Sequence, residues 1–343
     1  MLSAGKPRSA SGSGSEGSDL ADAKAIKLGV VAIGRNEGDR LKRCLGSIPA
    51  SRRPTIYVDS GSNDASLQVA SELGAMILAL DPARPFTAAR GREEGWRALL
   101  GACPDIDYIQ FIDGDCELVD GWFSSAAEAL DRDPTIAVVC GRRRERHPER
   151  SFYNAVCDQE WDTPVGPAAA CGGDAMMRAS ALQEVGGFDP SMLAGEEPEL
   201  CSRLGAAGWD VWRIDAEMTV HDAAMMQFAQ WWKRARRSGS GYAQAWAKTA
   251  HLSQRLYQRE LARAVWWAGL VPGGALALAL TVHPAALAIA PAAWAAQIAR
   301  LSPRLGWRKA VLLTVSKPAE LAGALDWWCQ AVTSRKHHAL SYK

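Results

Sequence analysis

The chain has 343 residues, with 39 basic and 38 acidic side chains and a formal net charge of +1. This length suits one large or two ordinary domains, and the near-neutral charge argues against nucleic acid as a general partner. Eight cysteines are scattered without a Cys-x-x-Cys pair, which argues against a zinc site and a disulfide-rich scaffold and fits a reducing compartment.

The N-terminal segment is rich in Ser, Gly and Ala and lacks the apolar region of a secretory signal. We predict a disordered leader over residues 1–26. From residue 27, short apolar runs alternate with stretches of helical periodicity, which is typical of a parallel sheet with crossover helices. The predicted strands cover residues 28–33, 55–58, 75–80, 108–112 and 136–140. The predicted helices cover residues 39–47, 65–73, 86–100 and 121–130.

Three polar loops follow predicted strands, at the edge where an open α/β sheet binds its ligands. They read Gly34-Arg35-Asn36-Glu37, Asp59-Ser60-Gly61-Ser62-Asn63-Asp64 and Asp113-Gly114-Asp115. The apolar run before Asp113 and Asp115 predicts a buried strand that delivers two carboxylates to a cleft. Such carboxylates bind Mg²⁺ or Mn²⁺ together with the oxygens of a substrate phosphate. The alternative for an isolated Asp-x-Asp pair is a turn or a helix cap.

Six motifs in a fixed order resemble the inverting, nucleotide-sugar-dependent glycosyltransferases of family 2, which have a GT-A fold. The first three are Val-Ala-Ile-Gly-Arg-Asn-Glu over residues 31–37, Val-Asp-Ser-Gly-Ser-Asn-Asp over 58–64 and Ala-Ala-Arg-Gly-Arg-Glu-Glu-Gly over 88–95. The others are Asp-Gly-Asp over 113–115, Gly-Gly-Phe-Asp over 186–189 and Gly-Glu-Glu-Pro-Glu-Leu-Cys-Ser-Arg-Leu over 195–204. Gly91 stands where the family has Asn. The resemblance covers about residues 28–225. It implies an α/β fold with a mostly parallel nucleotide-binding sheet flanked by helices, followed by an α-helical C-terminal region.

The resemblance also implies a divalent cation, Mn²⁺ or Mg²⁺, bound by Asp115 and His221. Without this resemblance, a lone His221 beside a strand would be interpreted as an ordinary core or surface residue. The predicted nucleotide-sugar-binding residues are Arg35, Glu37, Asp59, Arg90, Asp113, Asp174 and Arg234. Among them, Asp113 is expected at the ribose and Asp174 at sugar hydroxyls. Arg234 or Arg237 is expected at the donor diphosphate, because a guanidinium fork suits phosphate.

An inverting transfer needs a carboxylate across the sugar from the leaving group, to accept the proton of the acceptor hydroxyl. Glu197 occupies the family's Asp position with a side chain longer by one methylene, and Glu196 competes for this catalytic role. The structural alternative for this acidic segment is a helix N-terminus, where negative charge is favourable. Both interpretations can hold, since one catalytic carboxylate is enough.

The last third of the chain is rich in Trp, Arg and Ala. Residues 264–282 and 285–299 are uncharged and carry basic residues at both outer ends. A span needs about 20 apolar residues, so the first stretch is borderline and the second is short. Because the basic flanks place both ends at the cytoplasm, we predict a helical hairpin that dips into the bilayer. The alternative is an Ala-rich helical pair buried against the catalytic domain. Residues 310–332 predict an amphipathic helix at the membrane interface.

The predicted organisation is a leader over residues 1–26, a GT-A catalytic domain over 27–225 and a membrane-associated helical region over 226–343. The resemblance implies transfer of one sugar from a nucleotide-sugar donor to a glycan or lipid-linked acceptor, at the cytoplasmic side of the inner membrane. Two alternatives remain: a nucleotidyltransferase that acts on a sugar phosphate, and a non-catalytic, membrane-tethered module that binds sugar nucleotides. The first would require a Gly-rich phosphate loop after the first strand, and residues 34–37 lack one.

Overall fold

The computed structural model describes residues 27–49, 54–252 and 255–333, so the predicted leader lies outside the described residues. Within these ranges nine strands form one sheet. They are β1 (Leu28–Gly34), β2 (Thr55–Asp59), β3 (Met76–Ala79), β4 (Tyr108–Asp113), β5 (Cys116–Leu118), β6 (Ile136–Glu145), β7 (Gly166–Pro167), β8 (Ala175–Arg178) and β9 (Asp210–His221). All five predicted strands are confirmed.

The strand order is β3-β2-β1-β4-β8-β6-β9-β5, with β7 paired to β9. Strand β1 runs parallel to β2 and β4, β2 runs parallel to β3, and β6 runs parallel to β9. The other four pairings are antiparallel. The predicted mostly parallel sheet is therefore a mixed one, because β8 inserts between β4 and β6. Strands β5, β7 and β8 are short, and β9 alternates buried with exposed residues, so continuous apolar runs did not mark them.

Seven helices flank the sheet in the described part of the chain. They are α1 (Asp39–Gly46), α2 (Ser66–Glu72), α3 (Ala88–Ala102), α4 (Trp122–Arg132), α5 (Phe152–Glu160), α6 (Ala179–Val185) and α7 (Glu196–Ala206). The first four confirm the predicted helices. Helix α3 begins later than predicted because the Thr87 side chain caps it by accepting a hydrogen bond from Arg90 N.

The core lies between the central strands and these helices, with Val30, Val31 and Ala32 of β1 fully buried. Helix α3 packs very closely on the sheet at Gly95. A Cβ atom there would lie 2.5 Å from Val31 Cγ1 and 2.8 Å from Val58 Cγ2, so a larger residue would push the helix away. This close approach brings the first turn of α3 to the carboxyl ends of the strands.

The C-terminal region is entirely helical where the structure describes it. Its helices are α8 (Phe228–Lys248), α9 (Gln258–Ala264), α10 (Val271–Thr281), α11 (Ile289–Leu305), α12 (Trp307–Val315) and α13 (Lys317–Val332). A π-helical segment, Val265–Leu270, joins α9 to α10. The resulting helix, Gln258–Thr281, has 24 residues, and it alone in the described ranges is long and apolar enough to cross a membrane.

Helices α10 and α11 form the predicted hairpin, and Trp294 Nε1 of α11 donates a hydrogen bond to Trp267 O at 2.9 Å. Only 11% of the apolar window in Gln258–Thr281 is buried. Leu270 and Leu280 are 58% and 78% exposed. A helical pair buried against the catalytic domain does not fit this exposure.

The prediction of one interfacial helix over residues 310–332 is wrong. Two helices occupy this stretch, and α13 packs directly against α8 through small residues. A Cβ atom at Gly239 would lie 1.9 Å from Glu320 O, and one at Gly323 would lie 1.8 Å from Arg236 O. Trp327 is 8% exposed, whereas Trp328 is 39% exposed. The sequence pattern could not reveal this contact, because backbones rather than bulky apolar side chains meet there.

Candidate active site

The two aspartates of the Asp-x-Asp motif lie at the carboxyl end of buried strand β4, as predicted. The backbone N–H of Asp113 donates a hydrogen bond to Asp174 Oδ1 at 3.0 Å, which fixes the strand end. Asp115 lies in the turn between β4 and β5. Both carboxylates are partly exposed, with 27% and 24% of the side-chain surface accessible. The turn therefore presents two carboxylates at the sheet edge.

Strand pairing brings His221 to Asp115, although 106 positions separate them in the numbering. Strands β5 and β9 are antiparallel with Cys116 opposite His221, and His221 Nε2 lies 3.5 Å from Asp115 Oδ1. The other ring nitrogen, Nδ1, is buried, has no hydrogen-bond partner among the described residues, and lies 3.8 Å from Glu145 Oε2. The ring packs edge-to-face on Trp161.

This pair fits a divalent cation. A carboxylate oxygen and an imidazole nitrogen face each other, and ligand atoms of Asp115, Cys116 and His221 lie within 4.8 Å of one another. Burial raises the pKa of the Cys116 thiol well above its usual value. Burial thus disfavours the thiolate form that binds a metal, which leaves Asp115 and His221 as the better candidate ligands.

Asp174 does not fit its predicted contact with sugar hydroxyls. The residue has no exposed surface. Its Oδ1 accepts the hydrogen bond from Asp113 N, and its Oδ2 accepts hydrogen bonds from the Thr219 hydroxyl at 2.7 Å and Arg143 Nε at 3.0 Å. Asp174 thus fixes the end of β4 from behind.

Arg92 is the main site residue that sequence reasoning missed. Its guanidinium lies 2.7 Å from Asp113 Oδ1 and 2.7 Å from Glu196 Oε1. It also lies 3.3 Å from Glu197 Oε1. The available signal was an arginine three positions before Gly95 and therefore on the sheet-facing side of α3. The contact joins the Asp-x-Asp motif to the two candidate bases at the start of α7.

The two candidate bases differ in their surroundings. Glu196 is 6% exposed and pairs closely with Arg92. Glu197 lies farther from that guanidinium. Burial, followed by the charge of Glu196, raises the pKa of Glu197 to about 7. A carboxylate with a pKa near neutrality is suited to accept a proton at physiological pH.

Asp59, Arg35 and Glu37 lie around the first two loops. Asp59 is 2% exposed, and its Oδ2 accepts hydrogen bonds from Gly61 N at 3.0 Å and Ser62 N at 2.8 Å. The Arg35 guanidinium lies over the Phe86 ring, 5.6 Å from its centroid. Glu37 is largely buried and lies 3.0 Å from Arg40. These residues surround one end of the sheet edge, opposite the end formed by His221.

Arg90 does not fit a donor-binding role. It is 2% exposed, its Nε donates to Glu94 at 2.6 Å, and a terminal nitrogen donates to Asp81 O at 2.9 Å. The side chain thus holds the loop that precedes α3.

The two arginines of α8 also have different neighbours. Arg234 pairs with Glu160 at 2.8 Å and lies over the Trp231 ring. Burial lowers the pKa of Arg237 to about 10, against the opposing effect of the nearby Glu196 and Glu197 charges. Of the two residues left open by the sequence, Arg237 is therefore the one nearer the candidate bases.

A family model described as glycosyl transferase family 2 matches residues 30–186. This part of the chain is therefore similar to family 2 glycosyltransferases. The pre-mycofactocin glycosyltransferase of Mycobacterium tuberculosis is 30% identical over 208 residues, which cover 56% of this chain and 42% of that protein. Succinoglycan biosynthesis protein ExoA of Rhizobium meliloti is 28% identical over 203 residues, which cover 54% of this chain and 60% of that protein. The chain thus spans about half the length of the curated relatives it matches.

The fold of the sheet, its flanking helices and the helical region after them is similar to that of a solved enzyme. Mannosyltransferase PcManGT from Pyrobaculum calidifontis, in complex with GDP-Man and Mn²⁺, superposes with a TM-score of 0.56 at 18% identity. The likeness covers 88% of this chain and 87% of that chain. It confirms the predicted GT-A fold class.

Proposed function

We propose that this chain is a metal-dependent inverting glycosyltransferase that moves a single sugar from a nucleotide-sugar donor to an acceptor hydroxyl. One observation carries the proposal. Asp113, Asp115, His221 and Glu197 come from distant parts of the chain, yet Asp115 meets His221, and Arg92 joins Asp113 to Glu197. Ligands for a cation and a candidate base therefore share one edge of the sheet.

Asp115 and His221 would hold the cation, Mn²⁺ or Mg²⁺, because their facing oxygen and nitrogen atoms suit a divalent ion. When bound, the ion supplies Lewis-acid neutralisation of the charge that develops on the leaving diphosphate. Asp113 is placed to orient the donor ribose, since Asp174 fixes its backbone and Arg92 its carboxylate. Arg35, Glu37 and Asp59 complete the nucleotide end of the site, and Arg237 with Arg234 supplies positive charge for the diphosphate.

Glu197 is the proposed general base. The acceptor oxygen attacks the anomeric carbon from the face opposite the diphosphate, and its proton passes to a Glu197 carboxylate oxygen. The bond from sugar to phosphate breaks with its electron pair remaining on the diphosphate, so a single displacement inverts the anomeric configuration. The pKa of about 7 leaves Glu197 substantially ionised at neutral pH and basic enough to take the proton.

The helical region over residues 226–343 is the proposed membrane-binding part, and residues 27–225 are the proposed catalytic domain. The hairpin exposes Leu280 of α10, and Leu270 of the π-helical segment before it is exposed as well; basic residues flank the hairpin on both sides. A hairpin with both basic ends on one side can enter a bilayer without crossing it fully. This geometry supports a lipid-linked sugar or glycan as acceptor, at the cytoplasmic face of the inner membrane.

The test is a panel of UDP-, GDP- and dTDP-sugars with the full chain in detergent, with Mn²⁺, with Mg²⁺ and with EDTA. We expect at least one donor to raise the unfolding temperature and to undergo slow hydrolysis only with metal. Asp115→Asn should abolish both the metal-dependent thermal stabilisation and the hydrolysis, whereas Asp105→Asn, at an exposed position, should behave like wild type. The proposal fails if no nucleotide sugar binds with either metal.

A further inference from the structure

A single buried guanidinium, that of Arg92, contacts carboxylates from two separate parts of the site. Arg92 lies on α3, and only 3% of its side chain is exposed. One terminal nitrogen donates to Glu196 Oε1 at 2.7 Å. The other donates to Asp113 Oδ1 at 2.7 Å and to Gly173 O at 3.3 Å. Helix α3 therefore ties strand β4 to the N-terminus of α7.

The three carboxylates do not share Arg92 equally. Glu196 and Asp113 each accept a short, charge-assisted hydrogen bond of 2.7 Å from Arg92. Glu197 lies 3.3 Å from the same guanidinium, so its interaction is weaker. The third nitrogen, Nε, is buried and has no hydrogen-bond partner in the described ranges. The guanidinium cannot turn toward Glu197 without breaking one of its two short bonds, because its donors are fixed in one plane.

We propose that Arg92 is a positioning residue that holds Glu196 and Asp113 in place and thereby leaves Glu197 as the carboxylate available to accept the acceptor proton. The inference rests on the proposed function, because it assigns roles within the same site. It gives a structural reason to prefer Glu197 over Glu196, which the sequence left as a competitor for the catalytic role. Glu196 is a fixed partner, and Glu197 is the base.

The charges around Glu197 predict how its titration depends on Arg92. The groups that face it are Glu196 on its own helix, Arg92 of α3, Asp113 of β4, Arg237 of α8, Tyr257 before α9 and the Cys171 thiol. Two of these groups are cations, and Arg92 is the one in contact. Removing Arg92 leaves Glu196 and Asp113 uncompensated beside Glu197, whereas removing the charge of Glu196 relieves repulsion and frees a donor of Arg92.

The experiment is a ¹³C NMR titration of the full chain with labelled glutamate side chains, with the Glu197 signal assigned by its loss in Glu197→Gln. Arg92→Met should raise the titration midpoint of Glu197 by at least about one pH unit, since a nearby opposite charge shifts carboxylates by about 1–3 units. Glu196→Gln should lower the midpoint. Arg92→Lys keeps the positive charge but loses the planar fork of donors. The titration midpoint of Glu197 in this variant should therefore lie between the midpoints in wild type and in Arg92→Met.

Opposite shifts in Arg92→Met and Glu196→Gln, together with a raised midpoint in Arg92→Lys, support the proposal, since an arginine that acted by its charge alone would leave the midpoint of Arg92→Lys at the wild-type value. The proposal is overturned if the midpoint stays within about 0.3 units of wild type in both variants, or if both shift it in one direction. If Arg92→Met does not fold, Arg92→Lys and Glu196→Gln give the same comparison.

This readout separates failure of the inference from failure of the proposed function. The titration needs no donor, so it tests Arg92 even if no nucleotide sugar binds. If a donor is hydrolysed, the acid limb of the pH–rate profile should move upward in Arg92→Lys and downward in Glu196→Gln. Turnover with an unmoved titration midpoint would retain the transferase and reject the role of Arg92.

Discussion

We predict that Glu197, as the proposed general base, makes the rate of sugar transfer depend on pH in a range where an ordinary glutamate would not. The usual pKa of a glutamate is 4.5, and burial beside Glu196 raises the pKa of Glu197 to about 7. A general base works only when ionised. With a midpoint near 7, the ionised fraction rises about tenfold between pH 6 and pH 8. An unperturbed glutamate would be ionised at both pH values, and the rate would not change.

The assay measures initial transfer rates between pH 5.5 and 8.5 at saturating donor, with a donor and acceptor found by screening. The initial transfer rate of the wild-type protein should increase about tenfold from pH 6 to pH 8. In Glu197→Gln, kcat should fall by a factor of about 10²–10⁴, because an amide cannot accept the proton. The transfer rate of this variant should also no longer increase with pH. Nucleotide binding should persist in this variant, since the predicted donor-binding residues are separate from Glu197.

Glu196→Gln is the matched variant, with the same chemical change one position away. It should retain far more activity than Glu197→Gln, because Glu196 is held by Arg92 and is not the proposed base. A wild-type rate that is flat between pH 6 and pH 8 would refute the assignment. Equal losses in the two variants would refute it as well.

The stability of the chain should also depend on Glu197, because its raised pKa means that ionisation of this carboxyl disfavours the folded state. Glu197→Gln should therefore raise the unfolding temperature at pH 8 and change it little at pH 4. An equal change at both pH values would contradict the raised pKa. In α13, Gly323→Ala should destabilise the chain by about 1–3 kcal/mol or more in denaturant titrations, because the new Cβ meets a backbone oxygen. Gly205→Ala in α7 meets nothing within 4 Å and should be neutral or slightly stabilising, so equal losses would disprove the close α8–α13 contact. The double substitution Leu270→Glu and Leu280→Glu should reduce flotation with phosphatidylglycerol vesicles at least about tenfold, and a wild-type chain that does not float would exclude membrane binding.

Much of the catalytic fold could be predicted because its central strands are buried on both faces. Strands β1, β2 and β4 are therefore continuous apolar runs that end in polar loops, and the periodicity of the helices between them marks α1 to α4. The short strands β5, β7 and β8 have no such signature. Their positions depend on pairing with segments far away in the chain, so the mixed topology of the sheet was not predictable.

The amino-acid sequence alone supplied the residue types: two carboxylates after a buried strand, a late histidine and adjacent glutamates in a family-like order. Which of these side chains meet depends on the folded arrangement of the chain. It buried Asp174 and turned Arg90 toward a loop. It also placed Arg92 between Asp113 and Glu196. The physical reason is that local sequence sets backbone conformation, whereas the neighbours and the exposure of a charged side chain depend on packing between distant segments.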